Sequence, residues 1–118
     1  MVPHEVTLFL RLVREARDAR RLTYRRNRDK NRETLADLGW TPRNMFNAVV
    51  ALQPEDALGI PWDNRNPGHI TERVCEFGMA LVEQEVYVKI AIVGLDDTAA
   101  GCVVSFHFAE KKLTYPFK

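Results

Sequence analysis

The chain has 118 residues, 46% of them hydrophobic and 28% charged, with a net charge of +1, which is the composition of an ordinary globular protein. This length predicts a single domain, residues 1–118, whose core needs neither a metal nor a disulfide. No run approaches the roughly 20 apolar residues that cross a bilayer, which excludes a membrane-spanning helix and a membrane partner. The N-terminus lacks the basic start and long apolar run of a signal peptide, so we expect a cytoplasmic protein.

The N-terminal part of the chain predicts helices. Apolar residues at helical spacing indicate a helix over residues 4–21. Residues 22–26 follow as either a brief strand or an extended link, and the polar residues 28–32 are expected to be exposed. A second helix is predicted over residues 31–38, which Gly39 ends in a left-handed cap.

A third helix begins at Thr41 and Pro42, which suit the N-cap and the first helical position. Its predicted buried face consists of Met45, Phe46, Val49, Val50 and Leu52. Two helices joined at a glycine are also the pattern of a helix-turn-helix. Residues 54–70 contain three prolines and two glycines, which predicts an irregular loop of functional length.

The final third predicts a sheet. Residues 73–80, 85–93 and 102–108 are rich in Val, Ile, Phe and Tyr, as strands are. The connections over residues 82–84 and 94–101 resemble hairpins, so we expect a three-stranded antiparallel meander. The predicted fold class is therefore α+β, with N-terminal helices packed on a C-terminal antiparallel sheet of at least three strands.

The two cysteines, Cys75 and Cys102, are predicted to be free thiols. They lie on the first and third of these strands, about 9–10 Å apart, whereas a disulfide needs Cα atoms within roughly 7 Å. Two cysteines at this spacing form no zinc pattern. The sequence also lacks a phosphate-binding glycine loop, a serine-hydrolase turn and an HExxH motif, so we expect no metal and no cofactor.

Strand alternation sorts the side chains between two faces. The aliphatic residues of the middle strand must face the helices, and the polar residues then lie on the outer face, turned away from the helices. This face collects an acid, a phenol, an ammonium, a hydroxyl and an imidazole: Glu76, Tyr87, Lys89, Ser105 and His107. In the last strand, alternation also places Val103 on the outer face. It predicts that the residues facing the helices are Cys102, Val104, Phe106 and Phe108.

These outer-face groups suit RNA cleavage without a metal. A base takes the proton of a 2′-hydroxyl, a cation stabilises the charge on the phosphoryl oxygens, and an acid protonates the leaving 5′-oxygen. Histidine titrates nearest neutrality and can serve in either proton transfer. The candidate catalytic residues are Tyr87, His107, Lys89 and Glu76. The alternative is an ordinary solvated strand face, where such side chains commonly pair.

Positive charge is concentrated in one segment. Residues 11–32 contain ten of the 17 basic residues and three of the 16 acidic residues, so they carry +7 while the rest of the chain carries −6. Such asymmetry indicates a polyanionic partner, and the alternative is a solvated arginine-rich helix face. The candidate RNA-binding residues are Arg21, Arg25, Arg26, Arg28 and Arg73.

Two strand sequences carry a family resemblance. Residues 85–90, Glu-Val-Tyr-Val-Lys-Ile, are followed after a hairpin by residues 103–107, Val-Val-Ser-Phe-His. MqsR proteins have a similar VYLK strand followed by a VSFK strand, and an LG pair upstream like Leu38-Gly39. Over about residues 30–118 the chain thus resembles the MqsR family of mRNA interferase toxins, whose fold is similar to that of RelE toxins.

The resemblance implies the toxin of a type II toxin–antitoxin pair. Its activity would be metal-independent cleavage of mRNA, and its partners mRNA and a cognate antitoxin, with the ribosome as a further candidate. The family's active tyrosine falls on Tyr87 and its active lysine on His107. A second lysine falls near Gly59 and a glutamine near residues 73–76, where this chain has neither. The implied site is either rearranged, with Arg73 or Lys89 supplying positive charge, or its activity is reduced or lost.

Two other functions fit the sequence. Residues 31–52 fit the helix-turn-helix of a non-catalytic nucleic-acid-binding regulator, with Arg43, Asn44 and Asn47 available to base edges. A protein-interaction module, whose sheet or basic helix binds an acidic partner, fits as well.

Overall fold

The computed structural model describes residues 2–65, 71–81, 83–94 and 98–118. Its helices are α1 (His4–Asp18), α2 (Asp29–Leu38) and α3 (Pro42–Val50), with a 3₁₀ turn at Pro54–Asp56. Its strands are β1 (Leu22–Tyr24), β2 (Trp62–Arg65), β3 (Thr71–Leu81), β4 (Gln84–Val93) and β5 (Ala100–Phe108). The predicted α+β class is confirmed. No helix in the described ranges is long and apolar enough to cross a membrane.

The five strands form one mixed sheet in the order β1-β5-β4-β3-β2. The predicted meander is confirmed, because β4 pairs antiparallel with β3 on one side and with β5 on the other. At one edge β1 runs parallel to β5, and at the other edge β2 pairs antiparallel with β3. The prediction of an irregular loop over residues 54–70 was wrong for residues 62–65. This short polar strand has no apolar alternation, and only its pairing with β3 makes it a strand.

The core lies between α1 and one face of the sheet. Apolar residues at helical spacing on α1 are buried against alternate residues of the strands, as amphipathic helices require. From α1 the buried residues include Val6, Phe9, Leu10 and Val13, and from the sheet Phe77, Val88, Ile90 and Phe106. The helix ends three residues before the predicted boundary, because Arg20 adopts a φ of 59° and the Arg21 amide donates to the Ala16 carbonyl at 2.7 Å.

A β-bulge in β5 changes which side chains face the helices. Lys89 of β4 pairs with Ser105, but its neighbour Ile90 pairs with Val103, so Val104 is the extra residue. Val103 is therefore fully buried in the main core, whereas Val104 lies in a small second cluster with Val74 and Ala91 on the outer face, against which Cys102 packs. The predicted facing of residues 102–104 was wrong, because strict alternation does not anticipate an inserted residue.

Both thiols are free, as predicted. Cys75 is buried on the helix side, where burial raises the pKa of its thiol to about 12. Cys102 lies on the opposite face of the sheet, so the two sulfurs are separated by the sheet itself. The predicted hairpin tips at Val82 and residues 95–97, and the loop residues 66–70, lie outside the described residues.

Candidate functional site

Two adjacent rows of side chains bring the predicted groups together on the outer face. In one row Tyr87 of β4 pairs with His107 of β5. In the next row Lys89 of β4 lies between Glu76 of β3 and Ser105 of β5. Facing residues in such rows have Cβ atoms about 4.5–5.5 Å apart. Four partly exposed groups, Glu76, Tyr87, Lys89 and His107, are therefore close enough to contact one ligand, with the buried Ser105 beside them. We call these five residues the outer-face cluster.

Tyr87 and Glu76 are directly connected. The Tyr87 hydroxyl donates a hydrogen bond to Oε2 of Glu76. Partial burial raises the pKa of Tyr87, and so do this hydrogen bond and the negative charge of Glu76, against a smaller effect of Arg28. Tyr87 is therefore a neutral donor at physiological pH, and it fixes one carboxylate oxygen while the other, Oε1, can take a proton from a ligand.

His107 lies beside Tyr87 with one ring nitrogen already occupied. The two ring centroids are 5.3 Å apart and the rings are tilted by 37°. The Nδ1 atom of His107 is 3.0 Å from the carbonyl oxygen of Phe108. Because a carbonyl only accepts, Nδ1 carries a proton in this contact, and Nε2 is the atom left for a ligand.

The arginine-rich segment reaches the cluster through Arg28. Nη1 of Arg28 donates to Oγ of Ser105 at 3.4 Å, and Ser105 itself is only 3% exposed. A shallow groove of about 360 Å³ adjoins this contact and is lined by Arg28, Asp29, Lys30, Asn31 and His107. One of the predicted RNA-binding arginines is thus brought next to the predicted catalytic groups.

An ion pair that the sequence analysis missed borders the same groove. Lys30 pairs with Glu110, which lies two residues after the end of β5. The hydrogen bond and charge of Lys30 lower the pKa of Glu110, and His107 and Lys111 lower it further. Nothing in the sequence pattern singles out this pair, because its partners are 80 residues apart.

Asn31 holds the basic segment against β5. Its Nδ2 atom donates to the carbonyl oxygens of Arg25 and Val104, both at 3.1 Å, and its Oδ1 accepts from the Phe106 amide at 3.0 Å. A neighbouring strand would make the same kind of bonds to β5. The Asn31 carboxamide therefore takes the place of a strand beside β5, beyond the last residue of β1. The prediction that residues 28–32 are exposed was wrong for Asn31, which is fully buried.

The C-terminal segment, residues 109–118, forms one wall of the outer face. Glu85 accepts hydrogen bonds from the Leu113 amide at 3.0 Å and the Tyr115 hydroxyl at 2.8 Å, and both lower the pKa of Glu85. Gly78, which pairs with Tyr87, has no side chain, and this leaves room for Leu113 and Tyr115 to lie against the sheet. A Cβ atom at Gly78 would lie 2.3 Å from the Tyr115 hydroxyl and 2.8 Å from Cδ1 of Leu113.

The other predicted RNA-binding residues are more dispersed. Arg21, Arg25 and Arg26 have exposed side chains on the segment that follows α1, and the Arg25 amide donates to the Val103 carbonyl at 3.1 Å. Arg73 does not join the cluster. Arg73 precedes Glu76 by three positions on β3, so its side chain lies on the opposite face of the sheet. On this helix side it lines a small cavity with residues of α1.

The candidate helix-turn-helix is partly engaged within the protein. Gly39 caps α2 with a φ of 68°, as predicted. Asn44 forms a capping box with Thr41, and Oδ1 of Asn47 accepts from Arg17 at 3.4 Å. Of the three side chains considered for base contacts, only Arg43 has no hydrogen bond or ion pair within the described residues.

Comparisons with protein-family models, curated proteins and solved structures return no significant match. In the parts of the chain that the structure describes, no group of three or more His, Cys, Asp or Glu side chains is arranged to hold a metal ion.

Proposed function

We propose that the chain is the toxin of a toxin–antitoxin pair in the cytoplasm, an endoribonuclease that cleaves mRNA without a metal. The observation that carries the proposal is the grouping of Glu76, Tyr87 and His107 on one face of the sheet beside Arg28. A held carboxylate, an imidazole and a guanidinium are the groups that cleavage through the 2′-hydroxyl needs. The VYVK and VSFH strand sequences, which resemble those of MqsR toxins, support the same function.

The two proton transfers are assigned to Glu76 and His107. Oε1 of Glu76 takes the proton of the 2′-hydroxyl as the 2′-oxygen forms its bond to phosphorus. The bond between phosphorus and the 5′-oxygen breaks, and the imidazolium of His107 gives its Nε2 proton to that oxygen. The products are a 2′,3′-cyclic phosphate and a free 5′-hydroxyl.

Positive charge for the phosphoryl oxygens comes from Arg28 and Lys89. The contact of Arg28 with Ser105 uses one of its five N–H donors, which leaves the others for a phosphate. Lys89 lies in the adjacent row, between its cross-strand neighbours Glu76 and Ser105. In this rearranged site, these cations take the place of the lysines that the MqsR family has at the positions near Gly59 and at His107.

The proposal is tested by induced expression in a bacterium, with growth and total RNA followed together. Wild-type protein should arrest growth and fragment mRNA, and His107→Ala should relieve both. His4→Ala is the matched control, because it removes an exposed histidine at the start of α1. Coexpression of the product of a small neighbouring gene, the expected antitoxin, should restore growth.

Three results would contradict the proposal. The first is normal growth and intact RNA at high levels of folded protein, and the second is equal toxicity of wild type and His107→Ala. The third is salt-sensitive binding of duplex DNA by protein that cleaves no RNA, which would support the helix-turn-helix regulator instead.

A further inference from the structure

A second basic groove lies on the helix side of the protein, between the end of α1 and the first turns of α3. It has a volume of about 570 Å³ and is lined by Arg17, Asp18, Arg20, Arg43 and Phe46. Three guanidinium groups and one carboxylate give this groove a formal charge of +2. It shares no lining residue with the groove beside His107.

Hydrogen bonds connect the two helices that line the groove. Arg14 of α1 donates to the carbonyl oxygens of Val50 and Leu52 at 3.0 and 2.8 Å, which fixes α1 against the end of α3. The guanidinium of Arg17 lies 5.0 Å from the centre of the Phe46 ring. An aromatic contact and a hydrogen bond to Asn47 thus hold this charge in position before any ligand arrives.

Arg20 and Arg43 are available to a ligand. Both are exposed, and neither side chain has a hydrogen bond or an ion pair among the residues that the structure describes. Arginine presents a planar fork of N–H donors that matches the oxygens of a phosphate. The groove therefore combines one fixed guanidinium with two that can close on an anion.

The backbone of Arg20 gives a second indication of function. Its φ of 59° lies in the left-handed region, at the position after α1 where glycine is strongly preferred because it has no Cβ atom. An arginine here is held at a cost in stability that glycine would avoid. Residues held in such conformations cluster at ligand-binding sites, so the backbone of Arg20 supports a binding role for its exposed side chain.

Resting on the proposed ribonuclease function, we propose that this groove binds the phosphates of a single-stranded RNA whose chain continues toward the outer face. Tyr24, the last residue of the edge strand β1, packs against Phe46 with ring centroids 6.2 Å apart. The next residue, Arg25, is hydrogen-bonded to β5, and Arg28 reaches Ser105. One basic segment thus leads from the groove around the sheet edge to the outer-face cluster. This continuity favours an extended nucleic acid over a compact acidic peptide.

The experiment measures binding of an RNA oligonucleotide in which every 2′-hydroxyl is methylated. Attack by the 2′-oxygen is then impossible, so the result does not depend on whether the outer-face cluster is catalytic. Affinity is measured over a range of salt concentrations for wild type, Arg20→Gly and Arg43→Ala. Arg11→Ala is the matched control, since it removes the same charge from an exposed position on α1 near Glu15.

Each groove variant should bind the RNA several-fold more weakly. The slope of log affinity against log salt should become shallower by about 0.7 for each arginine that contacts a phosphate of a single strand. Arg11→Ala should keep the wild-type slope. Arg20→Gly should also raise the midpoint of urea unfolding, so its weaker binding cannot come from a loss of folded protein.

Two results would overturn the inference. One is wild-type affinity and slope in both Arg20→Gly and Arg43→Ala. The other is binding of a glutamate-rich peptide that Arg43→Ala abolishes while RNA binding is unchanged, which would assign the groove to a protein partner.

Discussion

The hydroxyl of Tyr87 donates a hydrogen bond to the carboxylate of Glu76 on the neighbouring strand. The two residues are not directly opposite in the ladder, because Tyr87 pairs with Gly78 and Glu76 pairs with Lys89. Glu76 is thus the diagonal neighbour of Tyr87, within reach of a long side chain, while Leu113 and Tyr115 occupy the space that a side chain at Gly78 would fill. A neutral donor is thereby fixed to the group that we propose as the base.

Replacing Tyr87 by Phe tests this positioning role. Loss of one hydrogen bond, worth about 0.5–1.5 kcal/mol, should lower kcat for RNA cleavage by up to about tenfold and leave KM near its wild-type value. Glu76→Gln keeps the shape of the side chain but cannot take a proton, and should lower kcat by about 10²–10⁴-fold. An equal effect of the two substitutions would contradict these separate roles.

Replacing Asn31 by Asp should destabilise the fold by about 2–4 kcal/mol. The carboxylate cannot donate to the carbonyls of Arg25 and Val104, and it would place an unpaired charge at a fully buried position. Urea unfolding measures the change in the free energy of unfolding. Asn27→Asp, at an exposed turn position of the same segment, is the control. A loss below about 0.5 kcal/mol, as is usual for surface substitutions, would show that Asn31 does not replace a strand at this edge.

Replacing Gly78 by Ala should displace the C-terminal segment. The added Cβ would overlap the Tyr115 hydroxyl and the Leu113 side chain, and such overpacking typically costs about 1–3 kcal/mol. Limited proteolysis should then cut within residues 109–118 faster than in wild type. Gly59→Ala is the matched control, because nothing lies within 4 Å of a Cβ at that position. Equal protection of the segment in both variants would contradict the contact.

Stability should fall at alkaline pH. Burial raises the pKa of Cys75 from 9.0 to about 12, and burial together with Glu85 raises that of Tyr115 from 10.0 to about 12. Tyr87 shifts in the same direction. As the pH rises above about 9, the unfolded chain loses protons that the folded protein retains, so the free energy of unfolding decreases.

The midpoint of urea unfolding should therefore decrease from about pH 9 toward pH 12. Cys75→Ala removes one of the three groups and should make this decrease shallower. A midpoint that stays constant or rises over this range would contradict the burial of these groups.

The meander and the facing of the key polar residues could be predicted from the sequence. The aliphatic residues of β4 define the helix side, so alternation places Tyr87 and Lys89 on the outer face. Alternation within β3 places Glu76 on the same face. The facing of His107 was predicted correctly because this residue follows the bulge in β5, and strict alternation holds again from Ser105 onward.

The remaining features depend on contacts between distant residues. The bulge at Val104 accompanies the hydrogen bond from the Asn31 side chain, which no strand pattern reveals. The short strands β1 and β2 are stabilised by pairing with β5 and β3 rather than by their own composition. The pairing of Lys30 with Glu110 likewise arises only once the fold is formed.

The most direct test of the proposed function is the chemistry of the RNA ends produced by purified protein in the presence of a metal chelator. We predict fragments with 2′,3′-cyclic phosphates and free 5′-hydroxyls. The rate should fall by about 10²–10⁴-fold in His107→Ala and stay at the wild-type level in His4→Ala. Undiminished cleavage by His107→Ala, cleavage only with an added divalent metal, or products that carry 5′-phosphates would contradict the assignment of the outer-face cluster as a metal-independent ribonuclease site.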